Sequence, residues 1–275
     1  MAKPDFLVIG AQKAGTTWLE YVLKNHRQVW TPPVKELQYF NELYDSKSYG
    51  WAQRHRTTHA IKAMRWELEK KSPDLRKIEL CLKIAKKITS NNWYENIFEY
   101  SPEYKIKGEM TPEYSLISPK NIEKIYTKYP HLKIILVIRD PIERAVSHIK
   151  MRIKQTEQLD HPQSEIDIFA KACANDWDVI ERGNYQKIIE NWGKYFGKNL
   201  KIYCSSDFKE NPKPSISSIC QFLDIDPDGY NVDLEKSIHE GVKISLGTSV
   251  LDEIERAQEA NKIWFENNAK EYLIS

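Results

Sequence analysis

The chain has 275 residues, 41% of them hydrophobic, with 41 Lys and Arg against 39 Asp and Glu for a net charge of +2. That is apolar material for a sizeable core in one large domain or two small ones, and the charge is too balanced for a dedicated nucleic-acid binder, which is usually markedly basic. No apolar run approaches a membrane span, the opening MAKPDFLVIGAQ has no signal-peptide pattern, and the scattered Cys81, Cys173, Cys204 and Cys220 form no C-x-x-C pair, so the expectation is a soluble cytoplasmic protein with reduced core thiols, no zinc site and no membrane partner.

In chain order, Phe6–Ile9 is a short apolar run ending at Gly10 and reads as a buried parallel strand. From Thr16 the residues Trp18, Leu19, Val22 and Leu23 recur at helical spacing. Residues 28–48 read as irregular, with Pro32-Pro33 breaking any helix. The lysine-rich, aromatic stretch 49–100 reads as several helices inserted over a sheet edge, followed by a short strand at Tyr104–Gly108. Ser118-Pro119 has the look of an N-cap and first helical residue for a helix to about Tyr129. LKIILVI (132–138) carries the strongest buried-strand signal, and a helix opens after it at Pro141. Further helices are expected at 185–196, 212–225 and 249–272, with a strand at 200–204. Strands alternating with helices predict an α/β parallel sheet, and the absence of repeats or low-complexity linkers predicts a single domain over 1–275.

Four stretches could carry chemistry. In GAQKAGTTW, Gly10 and Gly15 have the spacing of an NTPase phosphate loop and Thr17 takes its Ser/Thr place, but Thr16 replaces the expected lysine and the cation is Lys13, inside the loop. A glycine turn before a helix offers free N–H groups and a partial positive charge to an anion; the plainer reading is a tight turn with a surface lysine. In IRDPIERAVSH, Arg139 ends a strand where α/β sheets put ligand groups, and Ser147 follows eight residues later. The plainer alternative is an Arg139–Asp140 or Glu143–Arg144 surface pair, and a rival functional reading makes Asp140 a metal-holding acid. In PPVKELQYF, Lys35 and Glu36 are either a solvated pair or include a general base. GEMTPEY (108–114) ends another strand and could border the same cleft, with Glu109 and Glu113 as alternative bases. The aromatics Trp51, Trp66, Trp93 and Tyr94 could stack on an acceptor ring or pack in the core.

Taken in order, GAQKAGTTWL, KELQYF, GEMTPEYS and IRDPIERAVSH, with RGNYQ…W…F…DF…P…FL over 182–225, resemble the PAPS-dependent sulfotransferases, most of all the heparan-sulfate type and related bacterial carbohydrate enzymes. PAPS is 3′-phosphoadenosine 5′-phosphosulfate. The resemblance spans about residues 5–250 and implies a P-loop-like parallel sheet flanked by helices. It implies that Lys13, Ala14, Gly15, Thr16, Thr17 and Trp18 hold the 5′-phosphosulfate, that Arg139 and Ser147 hold the 3′-phosphate, that Tyr185 of the RGNY motif belongs to the nucleotide site, and that Glu36 is the general base. Lys243 in HEGVKIS would match the family's basic loop. PAPS is then the co-substrate, no metal is expected, and the acceptor is an unidentified carbohydrate or other small molecule. Two positions depart from the family: Gln38 stands where histidine is often found, and Met110 where lysine is. The rival readings are a P-loop NTPase or small-molecule kinase using Lys13, Asp140 and Mg-ATP, and a nucleotide-binding module without turnover.

Overall fold

The computed structural model describes residues 2–88, 92–236, 238 and 241–274. Its centre is a five-stranded sheet: β1 (Phe6–Gly10), β2 (Val29–Trp30), β3 (Ile106–Met110), β4 (Lys133–Ile138) and β5 (Leu200–Cys204), in the order β2-β3-β1-β4-β5. Every neighbouring pair is parallel. All five residues of β1 are buried, as are all but the first of β4. Both faces of the sheet are therefore covered, which is why these strands read as continuous apolar runs rather than alternating ones.

The helices fall largely where periodicity puts them. α1 (Thr16–Lys24) follows β1, and α2 (Tyr39–Tyr44) follows β2. The insertion holds α3 (Ala52–Leu68), α4 (Leu75–Ala85) and α5 (Trp93–Phe98), and α5 lays Phe98 against Trp30 of the outer strand with ring centroids 6.0 Å apart. α6 (Pro119–Lys128) precedes β4 and α7 (Pro141–Gln155) follows it. Then come α8 (Gln163–Ala174), α9 (Trp177–Glu181) and α10 (Tyr185–Phe196) before β5, and α11 (Asp207–Glu210), α12 (Pro212–Leu223) and α13 (Thr248–Asn268) after it. The main core spans the sheet and its covering helices. A second apolar cluster joins Ile149 and Ile153 of α7, Ile166 and Ala170 of α8, Val179 of α9, and Val250 and Ile254 of α13. No helix among the described residues is long and apolar enough to cross a membrane. All four cysteines are buried and unbridged.

Several expectations need correction. Residues 28–48 are not wholly irregular: they contain β2 and α2, both too short to establish a period. The strand expected at 104–108 begins two residues later, because Tyr104 is exposed and the buried half of the strand is Gly108–Met110. The buried Glu109 masks that segment's strand character in the sequence. α8 and α9 were not expected; the stripe of α8 is Ile166, Ala170, Cys173 and Ala174, whose small residues give a weak apolar signal. Ser118 precedes α6 without capping it through its side chain, whereas Asp140 does cap α7, its Oδ1 accepting from the Glu143 N–H at 2.9 Å.

Candidate active site

β1 has β3 on one side and β4 on the other, while the chain leaving β1 crosses to β2 at the sheet edge. The loops after β1 and β4 thus open apart at the carboxyl end of the sheet, where α/β folds leave a crevice. A cleft of about 1890 Å³ lies there, and Lys13, Ala14, Gly15, Thr16, Thr17, Trp18, Glu36, Arg139 and Ser147 all line it. Four separate sequence motifs therefore converge, since Glu113 of the GEMTPEY stretch is also in the lining.

The loop before α1 is shaped for an anion. Gly15 sits at the helix N-cap with φ 95° and no side-chain cap, so the Thr16 and Thr17 N–H groups are open to an anion, while the Trp18 N–H already donates to the Gly15 carbonyl oxygen at 3.1 Å. Lys13 also has positive φ, at 70°. At Gly10, a Cβ would stand 3.0 Å from the Pro112 carbonyl oxygen, so the approach of β1 to the GEMTPEY turn leaves no room for a side chain. Burial, then Arg139 and Lys35, lower the Lys13 pKa from its ordinary value. Neighbouring cations repel one another, and an anion bound among them would reverse that effect. Lys35 is tied in by its Nζ donating to Thr17 Oγ1 at 2.9 Å and by an ion pair with Glu20 at 3.0 Å. Arg139 donates to the Lys13 carbonyl oxygen at 3.2 Å and pairs with Glu143 at 2.8 and 3.0 Å. Neither surface pair foreseen for this motif forms: Arg139 pairs with Glu143, Asp140 caps α7, and Arg144 is buried with its Nη2 donating to the Val179 carbonyl oxygen.

Glu36 and Gln38 both adopt left-handed backbone, φ 59° and 55°, a conformation costing non-glycine residues roughly 1–3 kcal/mol. The segment is held there from several sides. The Leu37 N–H donates to Glu109 Oε2 at 3.2 Å, and the Leu37 carbonyl accepts from Arg56 Nη1 at 3.1 Å. Gln38 Nε2 donates to Glu113 Oε2 at 2.8 Å. The Glu36 side chain is 22% exposed, with His55 Nε2 3.9 Å away. Burial and then the neighbouring Glu113, opposed by Lys35, push its carboxyl up from 4.5 to about 8. A general base works best when its pKa lies close to the working pH.

Not every expected residue faces the cleft. Tyr185 is buried; its hydroxyl donates to the Arg139 carbonyl oxygen at 2.8 Å and accepts from the Arg139 N–H at 3.3 Å, so it braces the strand end. Lys243 lines an adjoining shallow hollow with Lys150, which faces both spaces. The Trp18 indole N–H is spent on the Leu234 carbonyl oxygen at 3.0 Å while its ring stacks on Phe208. Glu109 is no alternative base. It is 2% exposed and accepts from Tyr94 (2.7 Å), Tyr114 (2.8 Å), Thr111 (2.8 Å) and the Leu37 N–H. Gln38 and Met110 are both buried behind the lining, Gln38 bracing Glu113. Asp140 is not in the lining and its carboxylate is engaged in capping α7, which removes the geometric basis for a metal-holding acid there. Of the aromatics, Trp51 lines the cleft, Trp93 and Tyr94 lie in the core, and Trp66 is exposed beside Lys70 and Lys77. Sequence reasoning missed Lys35 as a loop tether, His55 and His59 from α3, Asp178 in the first turn of α9 and Arg182 at its C-terminal end. Lys35 lies in the KELQYF motif but its tether to Thr17 is tertiary; His55, His59 and Asp178 come from segments without a motif, and the only signal for Arg182 was its place in RGNY.

Residues 4–229 match the profile described as the sulfotransferase family. The chain is 28% identical over 181 residues to the membrane-associated sulfotransferase kil1 of Dictyostelium discoideum, covering 65% of this chain and 29% of that protein. It is 26% identical over 136 residues to heparan sulfate glucosamine 3-O-sulfotransferase 3A1 of Mus musculus, covering 48% of this chain and 34% of that one. The chain thus spans about a third of the length of these curated relatives. The crystal structure of a sulfotransferase from Alicyclobacillus acidocaldarius superposes with a TM-score of 0.67 at 18% identity, covering 97% and 96% of the two chains, a likeness of fold. With the family profile covering most of its length, over a parallel sheet whose strand ends gather these motifs, the chain belongs to the sulfotransferase family.

Proposed function

We propose that the protein transfers the sulfuryl group of PAPS to a hydroxyl or amine of an acceptor, with the whole 1–275 chain acting as one sulfotransferase domain. The observation that carries this reading is the meeting of an uncapped helix N-terminus, three cations (Lys13, Lys35, Arg139) and a carboxylate of raised pKa in one cleft. The 5′-phosphosulfate lies along Lys13–Trp18, where the backbone N–H groups, Thr16 and Thr17 donate to its oxygens. Arg139 and Ser147 take the 3′-phosphate, Arg139 as a planar fork suited to it. Tyr185 acts through Arg139, by holding its peptide groups.

Glu36 takes the proton of the attacking hydroxyl or amine as the new O–S or N–S bond forms. The bond between sulfur and the bridging phosphate oxygen breaks, its electron pair stays on that oxygen, and Lys13 neutralises the charge that develops. The products are the sulfated acceptor and adenosine 3′,5′-bisphosphate. The transferred group carries less charge than a phosphoryl group, so this scheme asks for no metal; positioning and preset charge supply most of the rate. The test has two stages. Adenosine 3′,5′-bisphosphate should raise the melting temperature more than Mg-ATP does, because a ligand of the native state stabilises it by mass action. Labelled sulfate should then pass from PAPS to acceptors in a lysate. Better stabilisation by Mg-ATP overturns the donor assignment, and bisphosphate binding without transfer leaves a nucleotide-binding module.

A further inference from the structure

We propose that Arg182 reads an acidic group on the acceptor, so that the substrate is a ring-bearing alcohol or amine carrying a carboxylate or sulfate close to the site of sulfation. This rests on the sulfuryl-transfer reading above and names the substrate class for it.

Arg182 lines the cleft, yet its side chain is only 9% exposed. Its Nε and Nη1 have no hydrogen-bond partner among the described residues. A buried guanidinium left in this state is costly, and such groups are normally paired. The nearest carboxylate among the described residues is Asp178, at 3.9 Å from Nε, beyond hydrogen-bond distance. Asp178 is also shared with Arg152 at 3.5 Å, so it cannot compensate both cations fully. Among the described residues the site is short of one anion.

The placement of this guanidinium is fixed from behind. Arg182 follows α9, whose last carbonyls are held by α13: Gln258 Nε2 donates to Val179 O at 3.2 Å and Asn261 Nδ2 to Ile180 O at 3.0 Å. Arg144 of α7 donates to Val179 O as well. At Gly183 a Cβ would stand 2.8 Å from Gln258 Oε1, so the backbone packs against α13 with no slack. A donor set held rigidly without its acceptor is the arrangement that binds with little ordering cost.

Its side of the cleft is that of the base. Arg182 stands close enough to Glu36 and Tyr49 for its charge to act on both, and all three line the cleft. Trp51 (44% exposed) and Trp177 (64% exposed) line the same cleft and offer flat faces to a ring.

The experiment uses the full chain and two matched probes, phenyl β-D-glucuronide and phenyl β-D-glucoside. Their binding is measured by calorimetry with saturating adenosine 3′,5′-bisphosphate, and their sulfation with labelled PAPS. The acidic probe should bind, or react in kcat/KM, roughly 10- to 150-fold better, the value of one charge-assisted contact. Arg182→Gln should abolish that preference, Arg182→Lys should keep part of it, and neither should change bisphosphate affinity. Equal behaviour of the two probes, no binding or turnover of the acidic one, or a preference that survives Arg182→Gln overturns the proposal alone. Loss of bisphosphate affinity in Arg182→Gln moves the residue to the donor side and overturns it too. If the wild type binds no bisphosphate, the sulfuryl-transfer reading falls first and takes this one with it.

Discussion

Glu36→Gln should separate the catalytic role of this carboxyl from what its burial does to the fold. In the folded chain the group titrates near 8 against an ordinary 4.5. A folded value above the unfolded one means that the contribution of the glutamate to stability is whole below about pH 4.5 and is lost as pH rises to about 8. Three and a half units correspond to about 5 kcal/mol as an upper limit, at about 1.36 kcal/mol per unit. Because the side chain is 22% exposed, relaxation and solvent reduce the expected value to about 1–3 kcal/mol. The amide has no charge to bury. Its variant should therefore melt close to wild type at pH 5 and several degrees above it at pH 8, at roughly 2–4 °C per kcal/mol for a chain of this size. The same substitution should slow sulfate transfer about 100- to 10,000-fold while bisphosphate affinity holds. In the wild type, kcat/KM should rise with pH through about 8, because the base must first lose its proton. Scanning fluorimetry from pH 5 to 9, with initial rates across the same range, measures both effects. Parallel melting curves for the two proteins would refute the raised carboxyl, and near-normal turnover of Glu36→Gln would refute its role as base.

Lys13→Ala should weaken bisphosphate binding and slow transfer by about 100-fold or more, read from calorimetry and initial rates; turnover within a few-fold of wild type removes Lys13 from the site. Adenosine 3′,5′-bisphosphate should bind about 10- to 150-fold more tightly than AMP, and Arg139→Ala should shrink that preference while leaving AMP affinity unchanged, since AMP has no 3′-phosphate; equal affinities in the wild type defeat the 3′-phosphate assignment. Glu109→Ala strands four donors that now share one carboxylate and should cost about 3–5 kcal/mol in chemical denaturation, with loss of activity as the Glu36 segment is released. Gly183→Ala should cost about 1–3 kcal/mol, because its methyl group would press on Gln258; an unchanged melting temperature would show that the α9–α13 junction has slack.

The strands β1 and β4 and the helices α1, α7 and α10 were legible in the sequence because burial on both faces, or on one helical stripe, leaves a periodic mark. The anion loop was legible too, because glycine spacing, Lys13 and the two threonines are local features that act through the backbone of one turn. Strand order, by contrast, depends on crossovers. The pairing of β1 with β4 in the order β2-β3-β1-β4-β5 brings Lys13, 126 residues away in sequence, within hydrogen-bonding reach of Arg139. The raised carboxyl of Glu36 is likewise a tertiary property. It needs Glu109 and Arg56 to clamp Leu37, and Glu113 to stand nearby, and none of these is a sequence neighbour. The exclusion of Glu109 as a base follows from four donors, two from the turn after β3, one from α5 and one from the Glu36 segment. That Nε and Nη1 of Arg182 find no hydrogen-bond acceptor among the described residues is a shortage in space, and a shortage leaves no pattern in the chain. Local chemistry is written in short stretches of residues; desolvation and charge balance depend on what the folded chain brings alongside them.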